Sequence, residues 1–462
     1  MGFIYLQFEK KIIKVSWFNI LKARILFSFV TMRQTAVYNI SDIEFFKKRL
    51  TFWASQFEQS AILQGTTDKN NGLYLKYNML VGVDALDELF SEKDSFNKLF
   101  NFHNHKQDWL FGFMSYDLKN EIEDLKSENL DFLNFPSLHF FQPKWVFEII
   151  DNQVKIHFPL NVERKEMQLL FKEIIHFELE DNSDGTVSIE ARISKEKYIA
   201  GFEKLQQHIF RGDIYEVNYC QEFFAKNLIL NPISVYQNLY SVSKPPFAAY
   251  YRCQDKHLMC ASPERFLKKD AKKLISQPIK GTRKRSPQAE EDNRLKYELL
   301  NCPKEQSENV MIVDLVRNDL SKTASPSSVK VEELFGLYSF PQVHQMISTV
   351  VSELDEYTPW TEAIRHAFPM GSMTGAPKIS AMQLIEKTEV FKRGLYSGTV
   401  GFVTPDSNFD FNVVIRSILY NSTNQYASLP VGSAITANAN PQDEYDECYL
   451  KAKAMMEVLN AK

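Results

Sequence analysis

The chain has 462 residues, 44% of them hydrophobic, and its 54 Lys and Arg nearly balance 58 Asp and Glu. That length allows a large core, in one large domain or in two or three smaller ones. The near-neutral balance excludes a general nucleic-acid binder, and no run approaches the roughly twenty apolar residues of a membrane span. The first residues, MGFIYLQFEKKIIKVSWFNILKARILFSFV, mix charges with short apolar runs and lack the uninterrupted apolar stretch of a signal peptide. Met32 then opens a segment of ordinary domain character. Residues 1–31 therefore read as an extension ahead of the true start, or as a poorly ordered arm.

From 32 to about 185, strand-like and helical segments alternate. Ile43 to Phe57 has the periodicity of an amphipathic helix and leads into Ser60-Ala-Ile-Leu. Trp109 to Leu118 reads as a buried strand turning into an acidic helix over 120–125. The segments 144–150 and 154–158 read as a hairpin turned by Asp151-Asn152. His103 and His105 lie two apart but have no carboxylate or cysteine partner nearby, so they are not read as a metal site. The acidic, turn-rich stretch 178–185 is the candidate linker, leaving 186–462 as a second region.

That second region carries the unusual combinations. A helix is expected from Ser194 to Arg211, stopped by Gly212, and strands over 213–221, 247–251 and 257–262. The last of these delivers Glu264 at its end. Lys268, Lys269, Lys272 and Lys273 read as a solvated basic face beside a site for an acidic substrate. Lys280 differs from them, because Pro278 and Ile279 precede it and Gly281 allows a tight turn after it. An amine among apolar neighbours can lose part of its charge and act as a nucleophile. Helices are expected over 289–300 and 304–320. Glu305 and Glu308 sit three apart, as do Glu444 and Glu447, so each pair shares a helical face. Two such faces opposed offer only oxygen ligands, which suits Mg²⁺.

The stretch FPMGSMTGAPK superficially resembles a phosphate-binding loop, but its lysine follows Pro377 and no Ser or Thr comes next. It is read instead as a loop feeding a helix N-terminus that suits an anion, a carboxylate as readily as a phosphate. The five cysteines (Cys220, Cys253, Cys260, Cys302 and Cys448) form no C-x-x-C pair and are odd in number. A disulfide framework or zinc site is not expected, and a cytoplasmic protein fits.

The segments GDIYEVNYCQEF, SPERFL, PIKGTRKR, KEQSENVMIVDLVRNDL, QVHQMISTV, FPMGSMTGAPK, GLYSGTVGF, FNVVIRSILY and GSAITANANPQDEYDE follow one another over residues 200–455. In that order they resemble the chorismate-utilising enzymes, with weaker likeness upstream in FGFMSYDL and QPKWVFEI. Lys280 in PIKGT is similar to the branch that aminates chorismate at C4 to 4-amino-4-deoxychorismate, for 4-aminobenzoate and folate synthesis. Anthranilate synthases, which aminate at C2, typically carry Ala there. The resemblance implies an α+β fold of two large, mainly antiparallel sheets packed face to face with helices outside. It implies an N-terminal region over 32–185 and a chorismate-binding domain over 186–462, built into one body. It also implies Mg²⁺ held by Glu308 and Glu447, with Glu305 and Glu444 in support. Lys280 would attack C2 while Glu264 protonates the departing C4 hydroxyl, which requires a partly neutral Lys280 and a protonated Glu264.

Further roles implied by the resemblance fall on Arg416 and Tyr396 for the pyruvyl-ether carboxylate, and on Ser372, Gly432 and Ser433 as donors. His344 and Thr282 would lie near the ring, and Lys451 would meet a carboxylate or offset the glutamates. Two positions depart from the family pattern. Glu216 stands where many relatives carry Gln and the water-adding branch carries Lys. Ser60-Ala-Ile-Leu-Gln replaces a tryptophan-pocket motif ending in Glu-Ser, so tryptophan binding at an N-terminal pocket stays open. None of the five cysteines sits in a nucleophile elbow, so glutamine-derived ammonia would need a separate amidotransferase subunit. No segment reads as a lyase for the pyruvate elimination that follows. The alternatives are C2 amination and a non-catalytic chorismate-binding paralogue.

Overall fold

Aromatic and β-branched residues fill the strand segments, and the antiparallel ladder they build is continuous. The computed structural model describes residues 3–8, 11–16, 33–65, 74–179 and 187–460. Phe3–Phe8 and Lys11–Ser16 pair as a hairpin. The rest of the N-terminal stretch, Met32 included, and residues 180–185 of the candidate linker lie outside the described residues.

One layer runs from Glu216–Ala225 through Tyr426–Ile435, Ser417–Asn421, Lys256–Ser262, Phe247–Cys253 and Gln59–Gln64. It continues into Met79–Ser91 and Leu138–Ile150, each of 13 residues, which pair along their length with a register shift between Ala85 and Asp87. These long strands carry the ladder into a second layer. That layer comprises Leu110–Met114, Thr399–Val403, Phe409–Asn412, Arg265–Asp270, Lys273–Gln277 and Val343–Glu353. Ile279–Lys284 and Lys330–Ser339 both pair with Val343–Glu353.

Alternate residues of each strand feed different cores. Leu80, Phe111, Phe113, Tyr251, Leu267 and Phe411 share the core between the layers, where the rings of Phe113 and Tyr251 meet edge to face at 5.2 Å. Met79, Val81 and Tyr219 face the other way, onto Leu50, Phe202 and Met455 of the covering helices Ile43–Ala54, Lys195–Phe210 and Pro441–Asn460. The architecture is α+β, with two antiparallel layers face to face and helices outside.

Several expected boundaries move. The first helix ends at Ala54, short of Phe57, and is capped by Asp42, which accepts from the Phe45 amide at 3.0 Å. The strand expected over 213–221 occupies Glu216–Ala225, buried over its whole length. Lys268 is no surface charge: it is 3% exposed and pairs with Asp410 at 3.6 Å. It lies on the strand face turned into the protein, a consequence of sheet register that local composition does not reveal.

Candidate active site

Three elements bring the central groups together. Glu264 sits between the strands Lys256–Ser262 and Arg265–Asp270, and Lys280 lies on Ile279–Lys284. Glu216 opens the buried strand Glu216–Ala225. Gly281, at φ +89°, turns the chain after Lys280, and a Cβ there would stand 2.9 Å from Leu299 Cδ1 and 3.1 Å from Glu305 Oε2. No other residue type fits that turn without strain.

Lys280 Nζ hydrogen-bonds and ion-pairs with Glu216, and both side chains are almost wholly enclosed. Burial acts to neutralise the amine, but Glu216, Glu308 and Glu264 together outweigh it and raise its pKa above the usual lysine value. In this resting arrangement Lys280 is an ammonium ion. That corrects the expectation of a partly neutral lysine: the apolar neighbours are real, but acidic groups distant in sequence, Glu216 first, dominate. Glu264, by contrast, is pushed up to about 7 by burial, against the opposing pull of Ser372 and Lys280. Ser372 Oγ donates to Glu264 Oε1 at 2.7 Å, so that hydroxyl serves the carboxyl group.

The two acidic pairs lie on the helices Pro303–Ser321 and Pro441–Asn460. Burial raises the Glu308 pKa, with Lys280 opposing. Glu305 accepts from Arg283 Nη1 at 3.2 Å. Burial and the neighbouring Glu447 push Glu444 up to about 7, and the two carboxyl groups share a hydrogen bond. Burial raises Glu447 as well, but Lys451, paired at 2.7 Å, more than offsets it. Among the described residues no three acidic, His or Cys side chains are grouped as a metal centre, so the glutamates stand as two pairs. A buried Glu444 beside a part-exposed Glu447 is an all-oxygen donor set that a hard divalent cation suits.

Arg416 is half-buried, and its pKa is drawn down by burial and held up by Glu447 and Tyr396. It makes no side-chain hydrogen bond or ion pair with any described residue, so its fork is free for an anion. Tyr396 is 2% exposed, with its hydroxyl 4.0 Å from Cys220 Sγ. Gly432 faces Cys220 across the ladder, and a Cβ there would stand 2.1 Å from Asn218 Oδ1. Its carbonyl accepts from Lys451 Nζ at 2.8 Å.

Three further expected residues have partners or positions of their own. The Ser433 hydroxyl points into the helix-side core, 3.0 Å from the Tyr198 hydroxyl. His344 is buried, with Nε2 donating to Asp292 at 3.0 Å and Nδ1 2.8 Å from Ser339 Oγ. Asp292 is itself held well below the usual carboxylate range by its hydrogen bonds to Arg285. Thr282 is exposed.

The family model for the chorismate binding enzymes matches residues 52–457. The chain belongs to the chorismate binding enzyme family. Within it, the chain is 31% identical to aminodeoxychorismate synthase component 1 of Bacillus subtilis over 75% of this chain and 76% of that protein. It is 32% identical to anthranilate synthase component 1 of Thermus thermophilus, over the same shares. The crystal structure of anthranilate synthase component I from Streptococcus pneumoniae aligns over 98% of this chain and 95% of that one, with a TM-score of 0.71 at 23% identity. That last likeness shares the fold.

In this chorismate binding enzyme the residue that sequence reading underused is Glu216. It stood out as a departure, yet nothing local marked it as the partner of Lys280, 64 positions away. The signal was an acidic residue opening a strand that is buried over its whole length. Asn218, whose amide donates to the Ser372 carbonyl at 3.2 Å, was missed outright. The loop before Lys378–Thr388 is buried against Glu216 and Val217, and Lys378 pairs with Asp319. A separate cleft of about 560 Å³ is lined by Arg33, Trp109, His157, Lys268, Lys269 and Phe402. Its cations are already engaged, Arg33 by Asp108 and Lys268 by Asp410. Leu63 and Gln64, from the departed tryptophan motif, line a smaller cavity of about 60 Å³ with Tyr77, Pro246 and Phe247. Among the described residues no helix is long and apolar enough to cross a membrane.

Proposed function

We propose that the chain is an aminodeoxychorismate synthase component I, which aminates chorismate at C4 with ammonia. One observation carries this reading. A lysine and a carboxyl group that is half-protonated near neutral pH share one buried, electrostatically coupled site. Arg416, lacking a protein partner, and the enclosed Tyr396 hydroxyl would hold the pyruvyl-ether carboxylate. The neutral amine of Lys280 forms a bond to C2, the ring double bonds shift, and the C4–O bond breaks. Glu264 gives its proton to the leaving hydroxyl, which departs as water. Ammonia then bonds to C4, the C2–N bond breaks and Lys280 is released. The proton shed by the new ammonium group returns to Glu264. Glu308 and Glu447, supported by Glu305 and Glu444, would hold Mg²⁺, which when bound neutralises the ring carboxylate. The ammonia would come from a separate glutamine amidotransferase subunit, in the cytoplasm, and the product would serve 4-aminobenzoate and folate synthesis.

Mass spectrometry of the product from chorismate, ammonium and Mg²⁺, with and without an added aminodeoxychorismate lyase, tests the reading. We expect 4-aminobenzoate in the lyase tube only. Anthranilate in both tubes would mean C2 amination, the reading that the Thermus relative favours. No conversion despite chorismate binding would mean a non-catalytic paralogue. Lys280→Ala should lose C4 amination by at least about a thousandfold, and its retention would remove the nucleophile.

A further inference from the structure

The reading above needs a neutral Lys280, and the resting site holds an ammonium ion. The proton must go somewhere before the amine can bond to C2. The carboxylates acting on Lys280 are Glu216 on the strand Glu216–Ala225, Glu264 ahead of Arg265, and Glu308 on the helix Pro303–Ser321. Glu305 on the same helix lies against the neighbouring Gly281 and is engaged by Arg283. Among these, Glu216 is the one in hydrogen-bond contact with Nζ. Glu264 is bonded to Ser372 and must keep its own proton for the leaving hydroxyl. Glu308 acts on Lys280 through space, with Lys304 at 4.0 Å as its ion-pair partner.

Glu216 is 2% exposed, and its second oxygen, Oε2, is buried with no hydrogen-bond partner among the described residues. A buried carboxylate with one oxygen unsatisfied is costly as an anion and becomes less so when protonated. The strand fixes it in place, pairing Glu216 with Ala376 and Val217 with Gly375.

We propose that Glu216 is the proton acceptor for Lys280: it is the resting counter-ion of the amine and takes its proton along their shared hydrogen bond, freeing the lone pair for attack. The step balances within the pair. One N–H bond breaks, one O–H bond forms, and an ammonium and a carboxylate become an amine and a carboxylic acid. When Lys280 is expelled from C2 as an amine, Glu216 returns the proton. An amide at this position would accept the hydrogen bond but not the proton.

This inference rests on Lys280 being the C2 nucleophile, and its test separates the two. Because the proton moves inside the pair, the amine is freed without loss of a proton to solvent. The kcat/KM for chorismate, at saturating Mg²⁺ and a fixed concentration of free ammonia, should then vary less than about twofold from pH 5.5 to 6.5. In Glu216→Gln the proton must leave to solvent, so kcat/KM should fall about tenfold per unit as pH drops over that range. Glu216→Asp keeps an acceptor and should keep the flat profile, whatever its absolute rate. Parallel slopes in the parent and Glu216→Gln would overturn the proposal, as would a sloping profile in Glu216→Asp. If Lys280→Ala still yields the C4 product, the nucleophile reading has failed. If Lys280→Ala is inactive and the slopes are parallel, the role of Glu216 alone has failed.

Discussion

Glu264 shows at the level of one residue how a reactive group weighs on the fold. Burial lifts its carboxyl from the ordinary 4.5 to about 7, and the side chain is 5% exposed. A raised carboxyl pKa means that the folded state binds the proton more tightly than the unfolded chain. Its contribution to stability is therefore complete below about pH 4.5 and lost as pH rises through 7. A shift of that size corresponds to roughly 3 kcal/mol. Glu264→Gln mimics the protonated form and can still accept from Ser372. It should be about 2–3 kcal/mol more stable than the parent at pH 8.5 and nearly equal at pH 5 by urea unfolding, while losing amination. An equal difference at both pH values would show that ionisation of Glu264 costs the fold nothing.

Between elements, Arg393 is the tie that sets the site's geometry. It is 3% exposed and pairs with Glu389 at 2.6 Å and 2.9 Å. It also donates to the Met373 and Asn218 carbonyls at 2.7 Å and 2.9 Å. Glu389 in turn accepts from the Cys220 amide at 2.9 Å. The pair thus fastens the loop carrying Ser372 to the strand carrying Glu216. Arg393→Met leaves a buried carboxylate uncompensated and should cost about 3–5 kcal/mol in chemical denaturation. The double variant Arg393→Met/Glu389→Leu should recover part of that loss, since no charge is left unpaired while the Met373 and Asn218 carbonyls and the Cys220 amide lose their partners. A single variant costing under about 1 kcal/mol would show that the pair is not needed.

Across the whole molecule, the two halves of the chain share their sheets. Gln59–Gln64 pairs with Phe247–Cys253, and Leu110–Met114 pairs with Thr399–Val403. A fragment of residues 187–462 would expose both partner strands as apolar edges. It should aggregate on size-exclusion chromatography and show no cooperative thermal transition. A monodisperse fragment with a sharp transition would contradict the shared architecture.

Much of this was legible in the residues themselves. Period-3.6 patterning located helices such as Ile43–Ala54 and Lys195–Phe210, and alternation located strands such as Lys256–Ser262, because which face of an element is buried is written locally. Long strands such as Met79–Ser91 and Val343–Glu353 carried no such reading. The i, i+3 glutamates and the Pro-Ile-Lys-Gly turn were equally visible, since helical spacing and glycine's freedom are local properties. What the tertiary structure alone decided is electrostatic and long-range. The state of Lys280 follows from Glu216, Glu264 and Glu308, which three separate elements bring to it. Sheet register buried Lys268 and set the Ser433 hydroxyl against that of Tyr198. A pKa is set by every charge within a few ångströms and by the water excluded around it. Proximity of that kind is created by folding, and a one-dimensional pattern does not contain it.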